Sequence, residues 1–154
     1  METEFKYRIN DASVFDSIIK DPILENHLKN DKVDEVQMHA VYFDTEDQDL
    51  RNAGIAYRIR YENDRIVATI KWDVEVNEED GLHVREEIDL VINDERFAEA
   101  PDIDIFKSSD AYEVLYEAVG DKKLIKTIEM DFCRKLVMVD TGKSISALSL
   151  DEGV

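Results

Sequence analysis

Residues 55–72 read IAYRIRYENDRIVATIKW, and this stretch decides how the chain is expected to fold. Apolar and polar residues alternate on both sides of Glu62-Asn63-Asp64, and such alternation is typical of β-strands. The three intervening residues have turn chemistry, so the stretch predicts an antiparallel hairpin. Because successive side chains point to opposite faces of a strand, the bases Arg58, Arg60 and Lys71 all fall on the polar positions of these two strands.

Alternating patterns continue on both sides of the hairpin. Strands are predicted over residues 2–9, 36–43, 55–61, 65–74, 82–92, 124–139 and 144–150. Helical spacing predicts helices over 11–20 and 111–119, and a capped helical turn is predicted at 45–50. Pro22 is expected to end the first helix, and residues 93–110 to form an acidic loop with one short helix. About seven strands with two or three helices indicate an antiparallel α+β protein, built on a barrel or a strongly curved sheet.

Composition and charge limit the class of protein. The chain has 154 residues, of which 44% are hydrophobic, so we expect a single domain over residues 1–154. Its 37 acidic and 19 basic residues leave a net charge of −18, which disfavours a nucleic-acid partner because phosphates would be repelled. No apolar run approaches the ~20 residues of a membrane span, so no membrane partner is expected. The single cysteine, Cys133, is typical of a reducing compartment and predicts a cytoplasmic protein.

Bases and acids recur at the polar positions of the predicted strands. They are Lys6, Arg58, Arg60, Lys71, Arg85 and Arg134, together with Glu2, Glu4, Glu87 and Asp89. Arginine forks and lysine bind phosphate oxygens, while clustered carboxylates bind Mg²⁺ or Mn²⁺, ions that bridge phosphate oxygens. If these faces converge, the pattern predicts a site for a metal–polyphosphate complex. The alternative is a purely structural role, in which these charges form cross-strand ion pairs worth ~0.2–1 kcal/mol each. The pattern alone leaves this alternative open.

Several blocks of sequence carry recognisable motifs. Glu2-Thr3-Glu4-Phe5-Lys6 has the form Glu-x-Glu-x-Lys, and Tyr42-Phe43-Asp44-Thr45 leads into Arg58-Ile59-Arg60. Further blocks are Thr69-Ile70-Lys71, residues 81–87, Asp131-Phe132-Cys133-Arg134 and residues 147–153. In these motifs and in their order the sequence resembles the CYTH family, also called the triphosphate tunnel metalloenzymes. The resemblance covers nearly the whole chain.

The resemblance implies an eight-stranded antiparallel β-barrel whose tunnel binds triphosphate, of which about seven strands are present in this chain. It implies that the phosphate ligands are Lys6, Arg58, Arg60, Lys71, Arg85 and Arg134. It assigns Mg²⁺ or Mn²⁺ to Glu2 and Glu4, with Asp151 as a further acidic ligand. It places Glu87 and Asp89 near metal or water, and it implies catalytic positions at Glu87, Asp89 and Lys6.

The activity implied is metal-dependent hydrolysis of inorganic triphosphate to pyrophosphate and phosphate, since the motifs look most like the inorganic triphosphatase branch. Class IV adenylyl cyclase and thiamine triphosphatase are the alternatives within the family. A module that binds polyphosphate or a nucleotide without turnover is the alternative of another class.

One departure concerns the end of the chain. Members of the family continue past the turn matched here at residues 150–153 to a strand with a second Glu-x-Glu pair. We therefore expect a domain truncated at its C-terminal side, with reduced or absent activity. An unpaired edge also raises the expectation of strand exchange or a homodimer.

Overall fold

The computed structural model describes the backbone of residues 2–29, 32–77 and 82–153, and their side chains except those of 2–3, 74–77 and 82–84. Seven strands lie in these ranges: β1 (Glu2–Phe5), β2 (Asp34–Asp44), β3 (Ile55–Glu62), β4 (Arg65–Asn77), β5 (Leu82–Ile92), β6 (Ile125–Asp140) and β7 (Ile145–Gly153). The helices are α1 (Val14–Ile19), α2 (Pro22–Glu25), α3 (Asp49–Asn52), α4 (Glu95–Glu99) and α5 (Ala111–Val119), with a 3₁₀ turn at Ile103–Phe106. The antiparallel α+β class predicted from the sequence is confirmed.

The chain divides into two compact units, and β2 and β6 each run through both of them. The first unit comprises Met1–Tyr7 and His39–Met130, and the second comprises Arg8–Met38 and Asp131–Val154. Within the first unit the strands follow the order β1-β5-β4-β3-β2-β6, and within the second the order β2-β6-β7.

The β3–β4 hairpin forms as the opening stretch predicts. Its register runs from Ile55 opposite Trp72 to Glu62 opposite Arg65. Asn63 takes the left-handed conformation (φ 52°), which asparagine tolerates better than most residues and which suits a two-residue hairpin turn.

The core of the first unit lies on one face of this hairpin. Tyr57, Ile59 and Ile70 are buried there against Phe106 of the 3₁₀ turn and Leu115 of α5. Burial raises the pKa of the Tyr57 phenol, and its hydroxyl donates a 2.9 Å hydrogen bond to the carbonyl of Asp102. Because helices cover one face of the sheet, the polar positions of β3, β4 and β5 are left on the other face.

Three local predictions need correction. The first strand ends at Phe5 rather than at residue 9, and its pairing in the described residues stops where Phe5 meets Leu82, the first residue of β5. Pro22 begins α2 instead of merely ending α1, since Asp21 caps the new helix and proline suits a first turn. The loop predicted at residues 93–110 contains both α4 and the 3₁₀ turn.

The second unit is built on the β6–β7 hairpin, in register from Asp140 opposite Ile145 to Phe132 opposite Gly153. The segment after α2 pairs with β6 through an isolated bridge between Leu28 and Val139. In the part of the chain that the structure describes, no helix has the length and apolar character needed to cross a membrane.

Candidate functional site

The antiparallel register arranges the polar positions in rows across β3, β4 and β5. One row joins Arg58, Thr69 and Asp89, and the next joins Lys71 and Glu87. Directly opposed residues share a face, so these side chains lie on the sheet face that is opposite to the hydrophobic core. We call this surface, extended to Arg85 and its neighbours, the charged face.

Arg58 holds the most unusual position on the charged face. Its Nη2 donates a long hydrogen bond of 3.4 Å to the hydroxyl of Thr69, which donates in turn to Asp89 Oδ1 at 2.5 Å. The Nε of Arg58 is buried, and no acceptor for it is found among the residues that the structure describes. A buried donor without an acceptor is costly, so the Arg58 guanidinium is poised to take up an anionic oxygen.

Lys71 and Glu87 form the second row. Lys71 Nζ lies 3.1 Å from Glu87 Oε2, and both side chains are largely buried. The family resemblance implies that the lysine is a phosphate ligand and that the glutamate has a catalytic position. The structure brings the two together.

Arg60 is paired with Glu62, a residue that the sequence analysis missed. Arg60 Nε and Nη2 both contact Glu62 Oε1, while Arg65 Nη2 donates to Glu62 Oε2 at 2.7 Å. Burial alone would raise the pKa of Glu62, but hydrogen bonds from the two arginines and their charges hold it below its usual value. The signal was available, because Glu62 lies two positions after Arg60 and therefore on the same face of β3.

Arg85 is surrounded by carboxylates. Its Nε donates to Asp73 Oδ1 at 2.6 Å, and its Nη1 lies 3.9 Å from Glu4 Oε1. Asp73 was also missed, although it lies two positions after Lys71 and therefore on the same face of β4. It is opposite Arg85 in the regular register, and the register shift in β4 comes only after it. Glu2 is opposite Arg85 in the backbone register of β1, and its side chain is outside the described residues. Lys6 is exposed and follows the end of β1.

The charged face carries bases and acids in equal number among the side chains described. The bases are Arg58, Arg60, Arg65, Lys71 and Arg85, and the acids are Glu4, Glu62, Asp73, Glu87 and Asp89. The face is therefore not simply basic, and a polyanion would need either an exchange of ion-pair partners or additional positive charge.

The described carboxylates do not form a complete metal site. No group of three or more His, Cys, Asp or Glu side chains suited to a metal ion occurs in the described ranges. Glu4 belongs to β1 at the edge of the charged face, where Glu2 stands two positions before it, and carboxylate oxygens are the donors that Mg²⁺ and Mn²⁺ prefer. The two carboxylates of β1 thus suit a hard divalent cation, but they do not supply its complete set of ligands.

The remaining predicted residues lie in the second unit. Arg134 and Asp151 form a bidentate ion pair across β6 and β7, with both nitrogen–oxygen distances at 2.7 Å. The pKa of the neighbouring Cys133 thiol is raised by burial and by a hydrogen bond with Glu35, which argues against a thiolate nucleophile.

Asp44 of the Tyr-x-Asp-Thr motif is structural in the first unit. Its buried carboxylate accepts hydrogen bonds from the backbone nitrogens of Thr45, Leu50 and Arg51, at 2.7, 2.9 and 3.1 Å. This motif holds the turn between β2 and α3, which precedes the arginine-bearing strand β3.

A family model described as the CYTH domain matches residues 1–150. The chain belongs to the CYTH family. This match confirms the resemblance read from the motifs, and it includes the charged face of the first unit. No curated protein matches this CYTH chain.

Solved structures share the CYTH fold. One belongs to a candidate adenylyl cyclase from Hippeastrum, which is described as having a dominant triphosphatase activity. It is 21% identical with a TM-score of 0.75, and the match covers 100% of this chain and 73% of that protein's chain. A candidate adenylate cyclase from Bacillus halodurans is 16% identical with a TM-score of 0.62, covering 99% and 75%. A protein from Pyrococcus horikoshii OT3 is 17% identical with a TM-score of 0.53, covering 98% and 68%.

Proposed function

We propose that this CYTH domain binds inorganic triphosphate on the charged face and hydrolyses it to pyrophosphate and phosphate with Mg²⁺ or Mn²⁺. The observation that carries the proposal is the buried Nε of Arg58, which has no acceptor among the described residues. A phosphate oxygen is the acceptor that a guanidinium recognises best, and it would remove the cost of this unsatisfied donor.

The basic residues around Arg58 would bind the rest of the polyphosphate. Arg60, Lys71 and Arg85 already donate to carboxylates on the same face, and each would share or exchange those partners for phosphate oxygens. Lys6, exposed after β1, would add a further positive charge. Arg134 and Asp151 of the second unit stay predictions from the family resemblance.

Glu2 and Glu4 would hold the divalent cation. When bound, Mg²⁺ or Mn²⁺ supplies positive charge to the phosphate oxygens, which the equal numbers of bases and acids on the charged face do not provide. Glu87 or Asp89 would accept a hydrogen bond from the attacking water through a carboxylate oxygen. Positioning and charge neutralisation are most of what phosphoryl transfer requires.

The test is release of phosphate from tripolyphosphate with Mg²⁺ or Mn²⁺. We expect Arg58→Ala and Glu4→Ala to reduce release at least tenfold, since each removes a charged contact worth about 1.5–3 kcal/mol. Arg96→Ala is the matched control, because Arg96 is highly exposed on α4 and should leave activity unchanged. Wild-type release no greater than that of Glu4→Ala would reject the hydrolase.

A class IV-type adenylyl cyclase is the second candidate, favoured by the likeness to the Bacillus halodurans structure. Incubation with ATP separates the two activities, because a cyclase yields cyclic AMP and pyrophosphate whereas a hydrolase yields ADP and phosphate. Thiamine triphosphate is assayed in parallel. Calorimetric binding of tripolyphosphate without any turnover would indicate a binding module instead.

A further inference from the structure

We propose that Thr69 is a positioning residue that orients the Arg58 guanidinium for the anion. This inference rests on the proposed function, because it concerns the same site. Thr69 belongs to the Thr69-Ile70-Lys71 block, to which the sequence assigns a role only through Lys71, and the structure places the Thr69 hydroxyl between a base and an acid.

The direction of the two hydrogen bonds is decided by chemistry. A hydroxyl has one proton to donate, and an ionised carboxylate can only accept. The Thr69 proton must therefore go to Asp89, 2.5 Å away, which leaves the lone pairs of Oγ1 to accept from Arg58 Nη2 at 3.4 Å. Asp89 thus orients the hydroxyl, and the hydroxyl orients the guanidinium.

Burial makes this arrangement specific. Thr69 is only 1% exposed and lies in the middle of β4. A valine there would have the same shape and would not bury a hydroxyl group. Only hydrogen bonds compensate for the cost of burying a hydroxyl at such a position, so the partners of the Thr69 hydroxyl define its role.

The consequence concerns the free donors of Arg58. Thr69 takes one N–H at Nη2, and Nε has no acceptor among the described residues. Tethering one corner of a planar guanidinium limits its rotation, so the remaining donors meet the anion with less loss of side-chain entropy. The assignment gives Asp89 an indirect role and leaves Glu87 as the acid that positions water.

Two substitutions isolate the hydroxyl. Thr69→Val removes it while preserving shape, and Thr69→Ser keeps it while removing the methyl group. By calorimetry with tripolyphosphate and Mg²⁺, Thr69→Val should weaken binding about tenfold, whereas Thr69→Ser should stay within about threefold of wild type. In an Arg58→Ala background, Thr69→Val should have no further effect, because its action passes through Arg58.

Equal losses in the two Thr69 variants, or additive losses with Arg58→Ala, would overturn the positioning role. So would wild-type affinity in Thr69→Val. If Thr69→Val does not fold, Asp89→Ala serves in its place, since it frees the hydroxyl from its orienting acceptor and should likewise weaken binding only when Arg58 is present.

A ligand-free readout separates failure of this inference from failure of the proposed function. The Arg58 Nε–H signal in a ¹H–¹⁵N spectrum, assigned by its loss in Arg58→Ala, should show a lower order parameter in Thr69→Val than in wild type or Thr69→Ser. An unchanged order parameter rejects positioning even if tripolyphosphate binds. Absence of tripolyphosphate binding with the expected change in order rejects the proposed function alone.

Discussion

Lys71 Nζ lies 3.1 Å from Glu87 Oε2, across the ladder between β4 and β5. The two side chains are only 17% and 20% exposed, so most of their water has been replaced by protein. A charge in such surroundings interacts strongly with whatever anion is nearest, and a phosphate oxygen would compete with the Glu87 carboxylate for this ammonium.

Lys71→Met should therefore lower the affinity for tripolyphosphate about tenfold or more, because it removes a charge-assisted hydrogen bond worth about 1.5–3 kcal/mol. Calorimetry with Mg²⁺ present measures the change. Lys123→Met is the control, since Lys123 is exposed beyond α5 and should bind like wild type. Equal affinities of Lys71→Met and Lys123→Met would remove Lys71 from the site.

Glu4 is expected to affect the metal requirement more than the substrate. Glu4→Gln keeps the shape of the side chain but removes a carboxylate charge from the edge of the charged face. The Mg²⁺ concentration that gives half-maximal phosphate release should rise by tenfold or more, because carboxylates are the preferred ligands of this ion. The exposed Glu117→Gln on α5 is the control, and an unchanged metal titration for Glu4→Gln would contradict the assignment.

Asp44 is expected to govern stability. Asp44→Ala would leave the backbone nitrogens of Thr45, Leu50 and Arg51 without their carboxylate acceptor in a buried turn. At about 0.5–2 kcal/mol for each lost capping interaction, the free energy of unfolding in urea should fall by about 2–4 kcal/mol. The exposed neighbour Glu46→Ala should change it by less than about 0.5 kcal/mol. A similarly small change for Asp44→Ala would refute the capping role.

Glu62 predicts a pH dependence of stability. Its pKa in the folded state is lowered from an ordinary value of 4.5, so the folded protein holds the ionised form more tightly than the unfolded chain does. The stabilisation is complete above the ordinary value and is lost as the pH falls through the lowered pKa.

Glu62→Gln should therefore lose less unfolding free energy than wild type between about pH 6 and about pH 3, measured by urea denaturation at each pH. Glu117→Gln, with its exposed side chain, should follow the wild-type curve. Parallel curves for Glu62→Gln and wild type would show that the Arg60–Glu62–Arg65 cluster adds no acid-sensitive stability.

Local sequence patterns predicted the elements whose signals are complete within a short stretch. Residues 111–119 form α5 at the predicted bounds, because the apolar spacing and Gly120 after the helix agree. Residues 82–92 form β5 and the 55–72 hairpin forms as predicted. The first strand was predicted too long, because pairing depends on where the partner strand begins and alternation alone does not report this.

The sequence by itself determined which charges share a face, since alternation along β3, β4 and β5 assigns Arg58, Arg60 and Lys71 to the side away from the core. It did not determine their partners. Those depend on strand register, and a shift of one residue would move every side chain to the other face. Only the tertiary structure decided that Thr69 lies between Arg58 and Asp89. It also decided that Arg58 Nε is buried without an acceptor among the described residues. Both facts depend on contacts between residues that are far apart in sequence.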